Sequence, residues 1–180
     1  MKRYSFCPVC GVRYADTARV DESLLECAAC GFLFWQNSKP AVGAIVTRAR
    51  DGITEVLLTR RGVPPHRGSW DLPGGFLSNG EHPELGVARE LREELQVASV
   101  RNLRLVGTGI VEYRRDDQAE EARFALPMYY RCEIDTDRLT ASDDVAEVRW
   151  YPLEHLPPDM AFPSDVAALA AFARSLAEEA

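Results

Sequence analysis

Glu90, Glu93 and Glu94 fall within barely more than one turn if "PELGVARELREELQV" is helical. Like charges three or four residues apart on a helix destabilise it by roughly 0.2–0.5 kcal/mol per pair, so some other charge must compensate for the crowding. At about 100° per residue the three carboxylates lie on one side, away from an apolar face of Val87, Ala88, Leu91 and Leu95. Hard divalent cations such as magnesium take oxygen ligands and keep several waters, and clustered carboxylates with a backbone carbonyl offer such a set. Arg89, four residues before Glu93, can orient that carboxylate but cannot neutralise all three. A solvated acidic face is the competing reading. Gly86 falls among the glutamates, and a mid-helix glycine costs roughly 1 kcal/mol relative to Ala, so something must approach the backbone there.

A second constellation precedes this one. Cys7-Pro-Val-Cys10 and Cys27-Ala-Ala-Cys30 are two CxxC pairs at the spacing of a four-cysteine zinc site. Gly11 and Gly31 follow the second cysteine of each pair, where a tight turn needs positive φ. Buried or redox-active cysteines are the alternative, but a redox motif needs only one CxxC. Four thiolates leave no open coordination position, which makes such a zinc structural. Cys132, in an apolar stretch, reads as a small core residue.

These groups need elements to hold them. The cysteine pairs dominate residues 1–39, and the texture changes at Pro40, which divides the chain into a ribbon over 1–39 and a larger domain over 40–180. "AVGAIVTR" and "TEVLLTRR" read as strands around the turn Arg50-Asp51-Gly52, and "GSWDLPGGFL" carries a strand into a glycine turn. Pro83 suits the first position of the glutamate helix. "NLRLVGTGIVEYR" and "RFALPMYYRCEI" read as two long strands around an acidic loop, Asp116 to Glu121, and "AEVRWYPL" as another strand. A last helix is expected from Ser164 as N-cap, with Val166, Leu169, Phe172 and Leu176 inward. The pattern predicts an α/β fold, a mixed sheet with helices packed against it.

With 46% hydrophobic and 27% charged residues, the 180-residue chain has ordinary globular composition. No apolar run approaches the roughly 20 residues of a membrane span, and the start "MKRYSFCPVC" lacks a signal-peptide apolar region, so a cytoplasmic protein without membrane partners is expected. Residues 1–39 carry five Lys/Arg against four Asp/Glu, and the remainder 16 against 24. No basic face shows in the sequence, so nucleic acid is not expected as a partner. A homodimer is the assembly considered.

The wider spacing singles out the glutamates. Gly75, five residues, Glu81, seven residues, then Arg89-Glu90-Leu91-Arg92-Glu93-Glu94 and Val97, preceded by Trp70 and Pro73-Gly74, resembles the signature of the Nudix hydrolases. The likeness covers roughly Pro40 to Pro158. Gln96 departs from it, standing where that family has a glycine suited to a left-handed helix cap, a change on the order of 1 kcal/mol. The resemblance implies an α/β/α sandwich with helices on both faces of the sheet, and hydrolysis of the diphosphate in a nucleoside diphosphate linked to another group. It implies magnesium or manganese held by Glu90, Glu93, Glu94 and the Gly74 carbonyl, with Glu81 and Arg89 in support. Glu90, Glu120 and Glu121 are the candidates for the base that takes the water's proton, and Glu90 is chosen.

An N-terminal zinc ribbon and the junction "NSKPAVGAIV" resemble the NADH pyrophosphatases, but Val97 to Arg115 lacks their Ser-Gln-Pro-Trp-Pro-Phe-Pro stretch. A proline common in ADP-ribose pyrophosphatases is also absent, Val111 and Glu112 standing there, while Tyr113 lies near a tyrosine of dinucleoside polyphosphate hydrolases. A dinucleotide such as FAD or ADP-ribose is therefore expected as substrate, with AMP as product. NADH hydrolysis, or an RNA- or protein-binding regulator on the same scaffold, are the alternatives. Arg60, Arg61, His66 and Arg67 could reach phosphates, with solvated charges as the competing reading, and Phe162 or Trp150 could stack on a base.

Overall fold

The computed structural model describes residues 5–14, 24–113, 123–136 and 138–179; the expected loop from Asp116 to Glu121 lies outside them. Strands β1 (Leu24–Glu26) and β2 (Leu33–Trp35) form a two-stranded sheet of their own beside the cysteines. The second sheet begins with the hairpin of β3 (Lys39–Arg50) and β4 (Ile53–Arg61). Its turn residues Asp51 and Gly52 both have positive φ, the geometry that matches the twist of paired strands. Short β5 (Trp70–Asp71) and β6 (Gly74–Phe76) pair with β4 and β3. Helix α1 (Pro83–Leu95) follows, then β7 (Val100–Thr108), β8 (Val111–Tyr113), β9 (Arg123–Ile134), β10 (Val145–Pro152) and helix α2 (Pro163–Glu179). The main path runs β10-β4-β3-β9-β7, parallel only between β3 and β9.

Alternation along β3 and β4 sends successive side chains to opposite faces. Ala44, Val46 and Leu57 meet Val87, Leu91 and Leu95 of α1, whereas Ile45, Val56 and Leu58 meet Ala168, Leu169 and Phe172 of α2. The mixed sheet thus carries a helix on each face, as expected. Cys132 is buried in the α1-side core, which pushes its thiol up to about 12. Trp150 is only partly buried there and packs under the Arg48 guanidinium.

Two local expectations change. The stretch read as one strand from Asn102 is broken at Gly109 and Ile110. Pro127 on β9 accepts from the Gly109 N–H but has no N–H to return, so the ladder lapses there. Helix α2 starts at Pro163 rather than being capped by Ser164, and Val166 faces solvent while Asp165, Ala168, Leu169 and Phe172 turn inward. Hydrogen bonds to Asp165 fix that rotation. The close approach expected at Gly86 is made by Leu77, whose Cδ2 would lie 2.2 Å from an added Cβ.

Helix α1 is capped at its start by His82, whose side chain accepts from the Glu84 N–H. At its end Gln96 takes the left-handed conformation, φ 59° and ψ 30°. Its N–H donates to the Arg92 carbonyl, the bond of an αL helix ending, and the Val97 N–H donates to the Leu91 carbonyl. The loop keeps its shape without glycine, so Gln96→Gly should raise stability by about 1 kcal/mol, or about 2–4 °C in melting temperature. A variant melting at or below the parent temperature would mean that Gln96 makes compensating contacts.

Candidate active site

Two glycines bring β6 directly against the acidic side of α1. Gly74 has φ +149°, and an added Cβ would lie 2.1 Å from the Val42 carbonyl oxygen; at Gly75 it would lie 2.5 Å from Glu90 Oε1. With no side chain in the way, the Gly74 N–H donates to Glu94 Oε2 at 3.0 Å.

Arg89 supplies the missing positive charge. Its Nε and Nη2 grip the two oxygens of Glu81 at 2.7 and 2.9 Å, and its Nη1 donates to Glu90 Oε1 at 2.8 Å and Glu93 Oε2 at 2.9 Å. The Phe76 carbonyl accepts the remaining bond from Nη2. Glu81 is thereby a clamp on Arg89; hydrogen bonds from Arg89, then from the Ser78 N–H, hold its carboxyl down at about 2. Glu93 stands at the solvent edge, with 47% of its side chain exposed.

Glu94 is left outside this arrangement. It is 5% exposed, and burial, followed by the charges of Asp71, Glu90 and Asp144, raises its carboxyl well above the usual range. Burial also raises Glu90, against the pull of Arg89. Two buried carboxylates that resist ionisation alone, beside further acids and a glycine backbone, form a donor set suited to a hard divalent cation.

Both carboxylates open into a cavity of about 260 Å³. Arg61, Gly74, Tyr113 and Phe162, singled out in the sequence, line it too. The Tyr113 and Phe162 rings face each other at 6.3 Å between centroids, 23° from parallel, and Phe76 meets Tyr113 edge-on. Arg60 and Arg67 are not brought to the cavity. Arg60 donates to the Gly68 carbonyl, pairs with Glu147 and lies over Trp70, while Arg67 is exposed. Consecutive strand residues point to opposite faces, so Arg60 and Arg61 could not both enter. Glu120 and Glu121 lie outside the described residues.

The inner wall holds groups that the sequence reading missed: Asp71, Tyr129, Asp144 and Asp165. Asp71 binds Arg61 Nη1 at 2.7 Å and the Thr59 hydroxyl at 2.7 Å, which fixes the guanidinium 5.2 Å from the Phe162 ring centre. Burial carries Asp71 up to about 6 and Asp165 up to about 7. A signal for Asp165 did exist. It opens the series 165, 168, 169, 172, a polar residue at the head of an apolar helical stripe.

At the other constellation, the Cys7 and Cys30 sulfurs are 3.7 Å apart and those of Cys10 and Cys27 3.6 Å, with all four ligand atoms within 4.8 Å of one another. A tetrahedron with zinc–sulfur bonds of about 2.3 Å has edges of about 3.8 Å, so the cluster has the right size. Burial alone would raise Cys7, but N–H groups of Cys10 and Val9 and the neighbouring thiols bring it to about 6. The Phe32 N–H favours the Cys30 thiolate, yet burial and the other thiols push it up to about 12. Four sulfurs this close form a group that could hold a cation. Gly11 and Gly31, at φ 72° and 71°, make the expected turns.

The NUDIX domain family model matches residues 37–172, and the chain belongs to that family, the Nudix hydrolases. Among relatives, the NAD-capped RNA hydrolase NudC of Pseudomonas aeruginosa is 31% identical over 156 residues, covering 85% of this chain and 49% of that protein. The NudC of Vibrio cholerae is 27% identical over 176 residues, 97% of this chain and 56% of that protein. The chain spans about half the length of these curated relatives. A solved NUDIX hydrolase from Nitrosomonas europaea matches with a TM-score of 0.71 at 27% identity, covering 97% of this chain and 92% of that one. The NUDIX domain of Shewanella oneidensis NrtR, complexed with ADP ribose, matches with a TM-score of 0.64 at 23% identity over 79% of this chain and 90% of that one, a likeness of fold alone. Among the described residues, no helix is long and apolar enough to cross a membrane.

Proposed function

We propose that this chain hydrolyses the diphosphate of a nucleoside diphosphate linked to a second group, releasing a mononucleotide such as AMP. The observation that carries this reading is the placement of two facing aromatic rings and two buried glutamates in one cavity. A base stacked on both faces needs about 7 Å between its neighbours, so the 6.3 Å gap between Tyr113 and Phe162 admits one after a shift below about 1 Å. Arg61, braced by Asp71, faces the same space as a donor for phosphate oxygens.

Glu90, Glu94 and the Gly74 carbonyl would hold magnesium or manganese, with Glu93 joining from the rim. Bound there, a cation would offset phosphate charge, align the diphosphate and acidify a water. Glu90 would take a water's proton through an oxygen not bound to the cation, and Arg89 keeps its carboxylate in place. Cys7, Cys10, Cys27 and Cys30 would hold one structural zinc. A binding protein without catalysis would have little need for Glu94 buried against its own tendency to stay neutral.

Dinucleotides such as FAD and ADP-ribose are the expected substrates. NAD is a second reading, favoured by NudC relatives named for NAD-capped RNA. Specificity constants for ADP-ribose, FAD, NADH and a diadenosine polyphosphate under one magnesium concentration separate the two. ADP-ribose or FAD should lead. An advantage of tenfold or more for NADH, about 1.4 kcal/mol in transition-state binding, would overturn that order and favour the NudC likeness.

A further inference from the structure

The wall offered to a base and the acidic centre belong to different elements. Phe162 precedes α2, whereas Gly74 and Glu94 sit on β6 and α1. Asp165 connects them. Its Oδ2 accepts from the Leu72 N–H at 3.2 Å, and its Oδ1 accepts from the Tyr129 hydroxyl at 2.8 Å. Leu72 is two residues before Gly74, and Pro73 between them is fixed to β3 through the Ala44 N–H at 2.8 Å. On the other side, the Asp165 N–H donates to the Phe162 carbonyl at 3.1 Å.

The strut is seated on close contacts. An added Cβ at Gly43 would lie 2.8 Å from the Tyr129 ring, and one at Gly109 would lie 3.1 Å from Ser164 Cβ. Neither Tyr129 nor the first turn of α2 would have room to shift toward these glycines if they carried side chains. An acid that merely favoured the start of a helix could do so from the surface. Asp165 is only 5% exposed, and burying a carboxyl is costly unless its hydrogen bonds accomplish something a surface residue could not.

We propose that Asp165 is a positioning residue: through Leu72 and Tyr129 it sets the distance from the Phe162 wall to the Gly74–Glu94 centre, and so selects the number of phosphates between base and cleaved bond. The proposal rests on the reading that a base enters between Tyr113 and Phe162 while the diphosphate meets the glutamates. In this proposal Asp165 acts through these two links and not by contact with base or phosphate. Its amide counterpart can keep both links, accepting from Leu72 with its oxygen and donating to the Tyr129 oxygen with its nitrogen.

The test compares diadenosine di-, tri- and tetraphosphate as substrates of the full chain with magnesium. Wild type should prefer one length. Asp165→Ala should flatten that preference at least tenfold, mainly through KM, while manganese affinity measured without substrate stays within about twofold. Asp165→Asn should restore the wild-type preference. Rates that fall in equal proportion for all lengths, an unchanged preference in Asp165→Ala, or an Asn variant that behaves like Ala would each overturn the proposal and leave the hydrolase reading standing. If Asp165→Ala does not fold, Tyr129→Phe removes one of the two links, and an unchanged preference in it overturns the proposal equally. A wild type that cleaves these but favours none also overturns it. A wild type that cleaves no diphosphate at all, including ADP-ribose, overturns both readings.

Discussion

Glu94→Gln is expected to lose turnover by on the order of a thousandfold or more, about 4 kcal/mol in transition-state stabilisation, while the metal-free protein becomes harder to unfold. Glutamine keeps the bond from the Gly74 N–H but removes a charge that burial, Asp71, Glu90 and Asp144 all oppose. A carboxyl whose folded pKa is raised destabilises the fold only when ionised. That penalty is absent below the unfolded value of 4.5, grows as pH rises from there toward the raised folded value, and is fully present above it. Metal-free wild type should therefore lose stability on going from acid to neutral pH, and the Gln variant should lose less. Melting temperatures at several pH values with a chelator, beside rates at saturating magnesium, check both parts. Retained turnover would remove Glu94 from the reaction, and a variant melting below wild type at neutral pH would refute the electrostatic account.

Protein purified without added metal should contain about one zinc per chain, and Cys27→Ser should reduce this to near zero. The two strands beside the cysteines pair with each other and not with the larger sheet, and Phe6, Leu33 and Trp35 are exposed. With so little core of its own, the ribbon would draw its stability from the metal, for which about 10–16 kcal/mol is typical at neutral pH. The Ser variant should be cut by protease within its first 39 residues while the larger domain keeps its melting transition. Free thiols with no bound zinc and a protease-resistant ribbon would contradict this.

Spacing in the sequence already located the glutamate helix, because Arg89, Glu90, Glu93 and Glu94 lie within one short segment whose geometry follows from helical periodicity, with Gly75 and Glu81 at fixed spacing before it. The same holds for the two cysteine turns. Gln96 was legible as a departure, and the chain responded by straining one residue instead of reshaping the loop.

Which glutamate is buried was not legible. Glu90, Glu93 and Glu94 are equivalent by type, and only the approach of β6, permitted by Gly74 and Gly75, covers Glu90 and Glu94 while leaving Glu93 at the edge. Nor could the sequence separate Arg61 from Arg60, since their opposite directions depend on which face of β4 meets the cavity. Asp71, Tyr129 and Asp165 belong to three elements and have no fixed spacing. Local patterns record what one segment does with its own periodicity, whereas a desolvated wall arises only when separate segments exclude water together, and that was decided by the tertiary structure.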